Sequence, residues 1–502
     1  MGSRFTRRRF LEGLGAGFTY LALANTVGCE PPAHTPKVSP LTGVSYAAPD
    51  GVWTFRSRPD LSPPAVEVTK QAHDTAPGYI FVAPEKGDTG QGGSLIIDNK
   101  GQVVWFRPLR HPIKASSRVM NFEVQSYRGR PVLTWGETPG EYVIFDDSYH
   151  EIARFTAANG FNGDHHEFLI SPQDTALISI YDMVPQDLSS FDGPKNGAAV
   201  QGIVQELNIQ TGEVLFEWHS LDHVGLDETY VTPAEDHYTG IDYFHLNSID
   251  VDHDNNLLLS ARETSTVYKI ERKSGEIIWR LGGKKSDFEM GPGATFAFQH
   301  DARRLPDGTI SIFDNGSLIF ENGTPEAVEE SRAIVLDLDE ERMRASLVSQ
   351  YTHPEKQYAD AAGNTQVLEN GNVFVGWGRA LAISEFSEDG KLLFDLRLPP
   401  QNRSYRAFRF EWSGMPSDRP SALAERTSEE EVRLYTSWNG ATEVESWEVL
   451  AGGHPAKLEA LGSIPRDGFE TAMVVRSTEP YVAVRAKDRS GRVLGTSEPV
   501  ET

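Results

Sequence analysis

The chain has 502 residues, of which 39% are hydrophobic and 10% aromatic, so it can form two or three domains with packed cores. Its formal net charge of −25 argues against nucleic acid as a partner, because phosphate binding requires clustered lysines and arginines. The single cysteine leaves no partner for an intramolecular disulfide.

The first 28 residues have the pattern of an export signal. Consecutive arginines in "TRRRFLEG" (6–13) precede a modestly apolar run, "LGAGFTYLALANTVG" (14–28). This is typical of a twin-arginine signal peptide, and the run is too short for a comfortable membrane span. We therefore expect a protein exported across the cytoplasmic membrane to the periplasm, to the cell surface as a lipoprotein, or to the medium.

Cys29 follows a small residue at the end of this signal, in "TVGCEPP". Two outcomes stay open: lipid attachment to Cys29, which would hold the protein at a membrane, or simple cleavage. The residues that follow include "EPPAHTPKVSP", so we interpret 29–60 as a Pro-rich tether.

Two hairpin signatures alternate along residues 61–402. One is represented by "VYKIERKSGEIIWRL" and the other by "HDARRLPDGTISIFDNG", each with two apolar strands around a polar turn. Six copies of the first alternate with five of the second, and "VEVTKQAHDTAPGYIFVAP" is interpreted as the sixth. The pattern predicts an all-β fold with a six-bladed β-propeller over 61–402, the alternative being unrelated strands of β-sandwiches.

The last hundred residues have a different pattern. "SYRAFRFEWSG" is interpreted as the crossing out of the propeller, and short strands such as "YVAVRAKDRSGRVLG" follow. Residues 403–502 are therefore predicted to form an immunoglobulin-like or fibronectin-III-like β-sandwich. No acid–base constellation is evident there, which favours a packing or spacing role.

Aligning the propeller units on their first turns brings polar residues into one register. His300 then falls over Asn247 and His166, and the same place in the second unit holds Asn121. First strands line the central channel of a propeller. The alignment therefore predicts that these side chains ring one end of the channel.

The fourth unit contributes two further candidates. His245 stands two residues before Asn247, which places both on one face of a strand. Arg262 ends the next strand, and antiparallel pairing should bring it back beside His245. The predicted site is therefore His166, His245, Asn247, Arg262 and His300.

This set is rich in hydrogen-bond donors and suits an anionic group with several oxygens, such as sulfate, phosphate or carboxylate. No cysteine or carboxylate of the same register is expected to point at the ring. An imidazole can act as a nucleophile toward sulfur or phosphorus, and a second can move a proton near neutral pH. Three histidines could also hold zinc or copper, although the adjacent arginine opposes a cation.

"DVDHDNN" (250–256) has aspartates at the spacing of a calcium loop. It lacks the glycine at the sixth position, where Asn255 stands, and the glutamate at the twelfth, where Ala261 stands. Asp and Asn are also the usual residues of tight turns, and we interpret the segment as a turn.

These residues resemble the arylsulfotransferase family, in particular its broad branch outside the enterobacterial enzymes. The resemblance covers roughly residues 50–400 and includes "HHEFLISP", "FHLNSIDVD", "LLLSARETSTVYKIERKSGEIIWRLGG" and "FQHDARRLPDG". It implies a six-bladed propeller that moves a sulfuryl group from a small-molecule aryl sulfate to a phenol. It implies no cofactor, metal or adenosine-based sulfate donor.

The resemblance also implies roles for the site residues. His300 matches the histidine that becomes a transient sulfohistidine, and His245, Asn247 and Arg262 match the groups that hold the sulfuryl oxygens. His166, rather than its neighbour His165, matches the first histidine of the set. The family also uses a threonine from the last blade, for which Thr365 is the nearest candidate, although its register is not fixed.

Two other classes of function remain open at this stage. One is a non-catalytic exported or lipid-anchored propeller scaffold, because a fold does not determine a function. The other is a metal- or quinone-dependent oxidoreductase.

Overall fold

The structure is a computed structural model that describes residues 36–43, 51–87, 90–110, 117–191, 193–231, 240–316 and 330–502, and the backbone of 319–321 and 324–326. The predicted signal peptide (1–28) and Cys29 lie outside these residues. Among the helices that are described, none combines the length and apolarity needed to cross a membrane.

The predicted all-β class is confirmed. Three consecutive segments of the chain each form a sheet in which strands that follow one another in sequence pair in antiparallel fashion. The hairpins close on residues suited to left-handed backbone, such as Arg128 and Gly129 at φ 55° and 70°. Sheet 2 has Val119–Tyr127, Arg130–Glu137, Glu141–Phe145 and Glu151–Thr156; sheet 3 has Gly163–Ile170, Thr175–Gln186, Gly197–Asn208, Val214–His219 and the parallel Ile241–Asp242; sheet 4 has Leu246–Val251, Leu257–Ala261, Thr266–Ile270 and Ile277–Gly282.

Three further sheets complete this part of the molecule, and the described helices are single turns at Ser189–Phe191, Ser220–His223, Leu226–Glu228 and Gly378–Ala380. A two-stranded ribbon pairs Ile319–Glu321 with Thr324–Glu326. Sheet 5 has His300–Arg304, Ile310–Asp314, Arg332–Asp339, Arg344–Tyr351 and the parallel Glu289–Met290; sheet 6 has Asn364–Val367, Val373–Gly376, Ala382–Phe386, Leu392–Arg397 and Glu67–Lys70; sheet 1 has Ala407–Phe410, Tyr79–Val82, Gly93–Ile97 and Val103–Pro108.

The ends of this region differ from the sequence interpretation. Ala407–Phe410 does not cross out of the sheets but pairs with Tyr79–Val82 as the first strand of sheet 1. Glu67–Lys70 is not a hairpin partner of Tyr79–Val82 and pairs instead with Leu392–Arg397. Sheets 6 and 1 are therefore each completed by a strand from the far end of the chain, so the sheet region continues past the predicted boundary at 402/403.

The first strands of the six sheets are joined into a closed circle by side-chain hydrogen bonds. In three of these links an asparagine side-chain amide donates a hydrogen bond to a backbone carbonyl in or next to the neighbouring sheet, and in a fourth Asn121 Oδ1 accepts one. The links, in order from sheet 2, are Asn121 Nδ2 to His166 O (2.7 Å), Ile249 N to Glu167 Oε2 (3.3 Å), Asn247 Nδ2 to Gln299 O (2.8 Å), Thr365 N to Asp301 Oδ2 (3.2 Å), Asn364 Nδ2 to Ala407 O (2.7 Å) and Arg406 Nη1 to Asn121 Oδ1 (2.9 Å).

Two further sheets contain the C-terminal strands and share an apolar core that includes Trp447, Met473 and Val484. Val38–Pro40, predicted within the tether, is an edge strand here, because Val38 enters that core and an edge tolerates proline. Sheet 7 has Val38–Pro40, Glu470–Arg476, Glu431–Ser437 and Ser421–Arg426; sheet 8 has Lys457–Pro465, Ser446–His454, Tyr481–Lys487, Val493–Thr496 and Val500–Glu501.

The segment with calcium-like spacing is a hairpin turn in sheet 4. Asn255 adopts φ 66°, and its backbone N–H donates a hydrogen bond to the backbone carbonyl of Asp252 at 2.8 Å. Lys269 Nζ lies 2.8 Å from an Asp252 carboxylate oxygen and 2.9 Å from one of Asp254. A lysine ammonium group therefore occupies the place between two of the three aspartates that would have to bind calcium.

Candidate functional site

A cavity of about 470 Å³ opens at one end of the circle of first strands. His166, His245, Arg262 and His300 all line it, together with Tyr405. The structure thus brings together four of the five residues that the sequence predicted.

Local irregularities in the strands aim these side chains. The pairing register shifts between Asp164 and Phe168, between Leu246 and Ser248, and between His300 and Arg303. Such bulges turn a side chain out of the regular alternation. His245 adopts a left-handed φ of 55° beside its bulge, which is unusual for a residue other than glycine. The site therefore depends on local distortion as well as on strand order.

The three imidazoles lie close together at the cavity wall. The ring centroids of His166 and His245 are 5.0 Å apart, and those of His245 and His300 are 6.5 Å apart. The Tyr405 ring stands edge-on 5.2 Å from His166 and 6.1 Å from His300. Tyr181 stacks against His166 at 5.2 Å. These contacts between rings restrict the orientation of each imidazole.

Two of the imidazoles have a carboxylate at Nδ1, and both carboxylates come from outside the shared register that the sequence alignment considered. His245 Nδ1 lies 2.6 Å from Asp242 Oδ2, and His166 Nδ1 is hydrogen-bonded to Asp164. Burial opposes the ionisation of Asp164, but the charge and hydrogen bonds of His166 outweigh it and lower the pKa of this carboxyl. The sequence signal was an aspartate two or three residues before each histidine.

His300 is held differently, by an amide. Asn315 Nδ2 donates to the carbonyls of Ala359 (2.8 Å) and Ala362 (3.0 Å), so its Oδ1 faces His300 Nδ1 at 2.7 Å. Nδ1 must then carry the proton, which leaves the lone pair on Nε2. Nε2 accepts one long hydrogen bond, 3.2 Å, from the backbone N–H of Ala362.

The environment of His300 favours its neutral form. The side chain is buried, and burial lowers its pKa well below the usual value, with the Arg262 and His245 charges acting in the same direction. A neutral imidazole with an unprotonated Nε2 is the nucleophilic state, and the long bond from Ala362 N is the hydrogen bond that an incoming sulfur atom would displace. Asn315, which no sequence pattern singled out, sets the tautomer.

Arg262 lies beside His245, as predicted from the antiparallel pairing of their strands. Its backbone N–H donates to His245 O at 3.0 Å. The guanidinium is ion-paired with Glu263, donates to Asp360 O at 3.0 Å and lies 5.0 Å from the centre of the Phe298 ring. Nε is buried and has no hydrogen-bond partner among the described residues. The guanidinium is thus held in place by Glu263 and Asp360, while its Nε–H donor stays unpaired among the described residues.

Asn247 is not among the residues that line the cavity. Because of the register shift between Leu246 and Ser248, its amide lies between first strands and donates to Gln299 O. The backbone carbonyl oxygen of Asn247 accepts hydrogen bonds from Tyr405 Oη (3.2 Å) and Arg406 Nη2 (2.8 Å). Asn247 therefore supports the cavity wall, and the predicted shared face with His245 is replaced by this arrangement.

The two other candidates from the sequence, His165 and Thr365, form hydrogen bonds within the protein. His165 Nε2 accepts a hydrogen bond from the Gly140 N–H at 3.1 Å, and burial lowers its pKa. Thr365 Oγ1 donates to Ile312 O at 3.2 Å. Neither lines the cavity.

One group of side chains could hold a metal ion. The ligand atoms of Asp242, His245 and Glu263 all lie within 4.8 Å of one another. Asp242 Oδ1 and Glu263 Oε2 are buried without hydrogen-bond partners in the described part of the chain. The ion pair between Arg262 and Glu263 places a positive charge beside this group, which disfavours a cation.

Comparison with known families gives one match. A family model described as Arylsulfotransferase (ASST) matches residues 123–398. No curated protein matches the chain at a significant level.

Solved structures with similar backbones are distant in sequence. One is a protein of unknown function from Bacteroides caccae, at 13% identity, which covers 66% of this chain and 98% of its own with a TM-score of 0.41. Another is a catalytically inactive virginiamycin B lyase from Staphylococcus aureus with quinupristin, at 7% identity, covering 82% and 100% with a TM-score of 0.32. These scores are too low to carry an argument about function.

Proposed function

The chain belongs to the arylsulfotransferase (ASST) family, and on this premise we propose that it transfers a sulfuryl group from a phenolic sulfate ester to a phenolic acceptor through a sulfohistidine at His300. Family membership itself indicates aryl sulfotransferase activity on small-molecule substrates. The observation that carries the mechanism is His300, whose Nδ1 is held by Asn315 and whose unprotonated Nε2, held only by a 3.2 Å hydrogen bond from Ala362 N, lies beside two other imidazoles and Arg262.

In the first half-reaction, His300 Nε2 forms a bond to sulfur as the bond from sulfur to the aryl oxygen breaks. The electron pair of that bond leaves with the phenolate, which takes a proton from the imidazolium of His166 or His245. Arg262 supplies positive charge to the non-bridging sulfuryl oxygens. Asn315 Oδ1 accepts the Nδ1 hydrogen bond, which strengthens as His300 becomes positively charged.

In the second half-reaction, the acceptor phenol gives its proton to the same flanking imidazole. Its oxygen attacks sulfur, the bond from sulfur to Nε2 breaks, and the electron pair returns to His300. Asp164 and Asp242 stabilise the charged imidazole in each half. No adenosine-based donor and no cofactor enter the cycle.

The proposal includes an architecture and a location. We interpret sheets 1–6 as the blades of a six-bladed β-propeller, supported by the closed circle of first strands, and sheets 7 and 8 as an immunoglobulin- or fibronectin-III-like sandwich. Export rests on the twin-arginine pattern at residues 6–13, and attachment to a membrane on Cys29.

Transfer from 4-nitrophenyl sulfate to phenol tests the proposal. The wild-type protein should release nitrophenolate and form phenyl sulfate, and His300→Ala should abolish both while its thermal unfolding stays close to that of the wild type. Full activity in His300→Ala would refute the nucleophile assignment. A wild-type protein inactive with every aryl sulfate tried would favour the non-catalytic scaffold.

The group formed by Asp242, His245 and Glu263 gives the metal-dependent alternative a specific basis. In that case the purified protein would contain a stoichiometric metal ion, and chelation would abolish its activity. The sulfotransferase proposal expects full activity in the metal-free protein.

A further inference from the structure

Three more arginines line the cavity besides Arg262. Arg118 precedes the first strand of sheet 2, Arg379 lies in the 3₁₀ turn of sheet 6, and Arg403 lies in the segment that leads into Ala407–Phe410. They come from three separate parts of the chain, so their convergence belongs to the cavity and not to a local run of basic sequence.

The residues that line this cavity carry a charge opposite to that of the protein. The chain has a net charge of −25, yet four arginines and one carboxylate, Glu85, line the cavity, while Glu263 and Asp360, outside the lining, pair with two of these arginines. A sulfate monoester brings one negative charge to sulfur, where Arg262 and the imidazoles already stand. The other arginines exceed what the reacting group needs.

The side chains of these three arginines are more exposed than that of Arg262. Arg118 lies 3.6 Å from Glu85, and Arg379 lies 3.0 Å from Asp360, with about half of each arginine side chain exposed. Arg403 is exposed and has no carboxylate partner among the described residues, so its charge is free to meet a ligand.

The backbone around Arg403 is well anchored. Arg403 O accepts from Glu85 N (2.7 Å), and the neighbouring Asn402 donates from Nδ2 to Glu85 O (2.9 Å). On the other side, Ser404 Oγ accepts from Ala83 N (3.0 Å) and donates to Arg406 O (2.6 Å). A fixed backbone with an uncommitted guanidinium is a preorganised contact for an anion.

We propose that Arg403, assisted by Arg118 and Arg379, binds a second anionic group on the substrate. The preferred donors are then aryl sulfates whose ring carries a further carboxylate, sulfate or phosphate. This inference rests on the proposed function and specifies the substrate class of the same site. The exposed rim holds the second anion, and the His300 end holds the sulfuryl group.

A matched pair of donors tests this selectivity: 4-carboxyphenyl sulfate and its uncharged methyl ester. The wild-type protein should have the higher kcat/KM with the carboxylate. Arg403→Gln should reduce the ratio of the two kcat/KM values by about tenfold or more, as expected for one charge-assisted hydrogen bond. Arg489→Gln makes the same charge change at an exposed turn of sheet 8 and should leave the ratio unchanged.

Binding gives a readout that does not need turnover. Calorimetric titration of both compounds into His300→Ala should show tighter binding of the carboxylate, and this preference should fall when Arg403→Gln is added. An unchanged ratio in Arg403→Gln, or an equal loss with both compounds from general attraction of anions, would overturn the inference. A wild-type protein that discriminates in binding but transfers nothing would refute the proposed function alone.

Discussion

At the residue scale, the proposed nucleophile His300 depends on an amide that only the structure identifies. Asn315 directs Oδ1 to His300 because its amide nitrogen is held by two carbonyls. Asn315→Ala should lower kcat by about 10- to 100-fold, the range typical of groups that orient a functional histidine. Steady-state kinetics should show this loss mainly in kcat, with Asn370→Ala at an exposed turn as the control. Unaltered kcat in Asn315→Ala would remove its positioning role.

The two Asp–His pairs can be distinguished by the leaving group. If one imidazole protonates the departing phenolate, weakening its carboxylate should matter more for a basic leaving group than for nitrophenolate. We expect either Asp164→Asn or Asp242→Asn, but not both, to lose more kcat/KM with phenyl sulfate than with 4-nitrophenyl sulfate. Equal losses with both donors in both variants would argue against general acid catalysis by these pairs.

The buried state of His300 also predicts a pH dependence of stability. Its native pKa lies well below the ordinary 6.5, so between these values the unfolded chain binds a proton that the native protein does not. The free energy of unfolding should therefore fall as the pH drops below about 6.5, by up to about 1.4 kcal/mol per pH unit. Urea unfolding from pH 8 to 5 should show that His300→Gln lacks this component. Parallel curves for the two proteins would contradict a depressed pKa.

Sequence patterns found four cavity residues, His166, His245, Arg262 and His300, because hairpin turns repeat and register follows from them. They misplaced Asn247, since a bulge is a local backbone distortion that turn alignment does not show. Asn315 was missed because its role comes from contacts with segments that are distant in sequence.

At the element scale, the strand Ala407–Phe410 closes the circle and carries a buried charge. Arg409 Nε lies 2.7 Å from Glu385 Oε2 in sheet 6, and its guanidinium lies between the rings of Phe374 and Phe394. The sequence interpretation of "SYRAFRFEWSG" as the crossing out of the propeller missed this strand, because its partners Tyr79–Val82 and Glu385 are distant in sequence.

Breaking this pair should destabilise the protein strongly. Glu385→Ala would leave Arg409 as an uncompensated buried charge, which typically costs about 3–5 kcal/mol. The matched control Glu388→Ala, at an exposed turn in the same sheet, should change the free energy of unfolding by less than about 0.5 kcal/mol. Urea unfolding measures both, and similar values for the two variants would contradict a stabilising role for the pair.

At the scale of the whole molecule, the C-terminal sheets are joined closely to the rest. Asn439 exchanges two hydrogen bonds of 2.9 Å with the backbone of Phe106, and Gly440 N donates to Val104 O at 2.9 Å. These contacts cover the open edge of sheet 1, which would otherwise present unpaired backbone groups. The sequence predicted short strands in the C-terminal region but not this docking, which depends on a loop between those strands.

The central claim is that His300 carries the sulfuryl group between donor and acceptor. Mass spectrometry of the protein mixed with 4-nitrophenyl sulfate, without acceptor, tests it most directly. We predict an adduct of one sulfuryl group on the peptide that contains His300, lost when phenol is added and absent from His300→Ala. An adduct on another residue, or efficient transfer with no adduct on His300 under rapid quenching, would contradict the account.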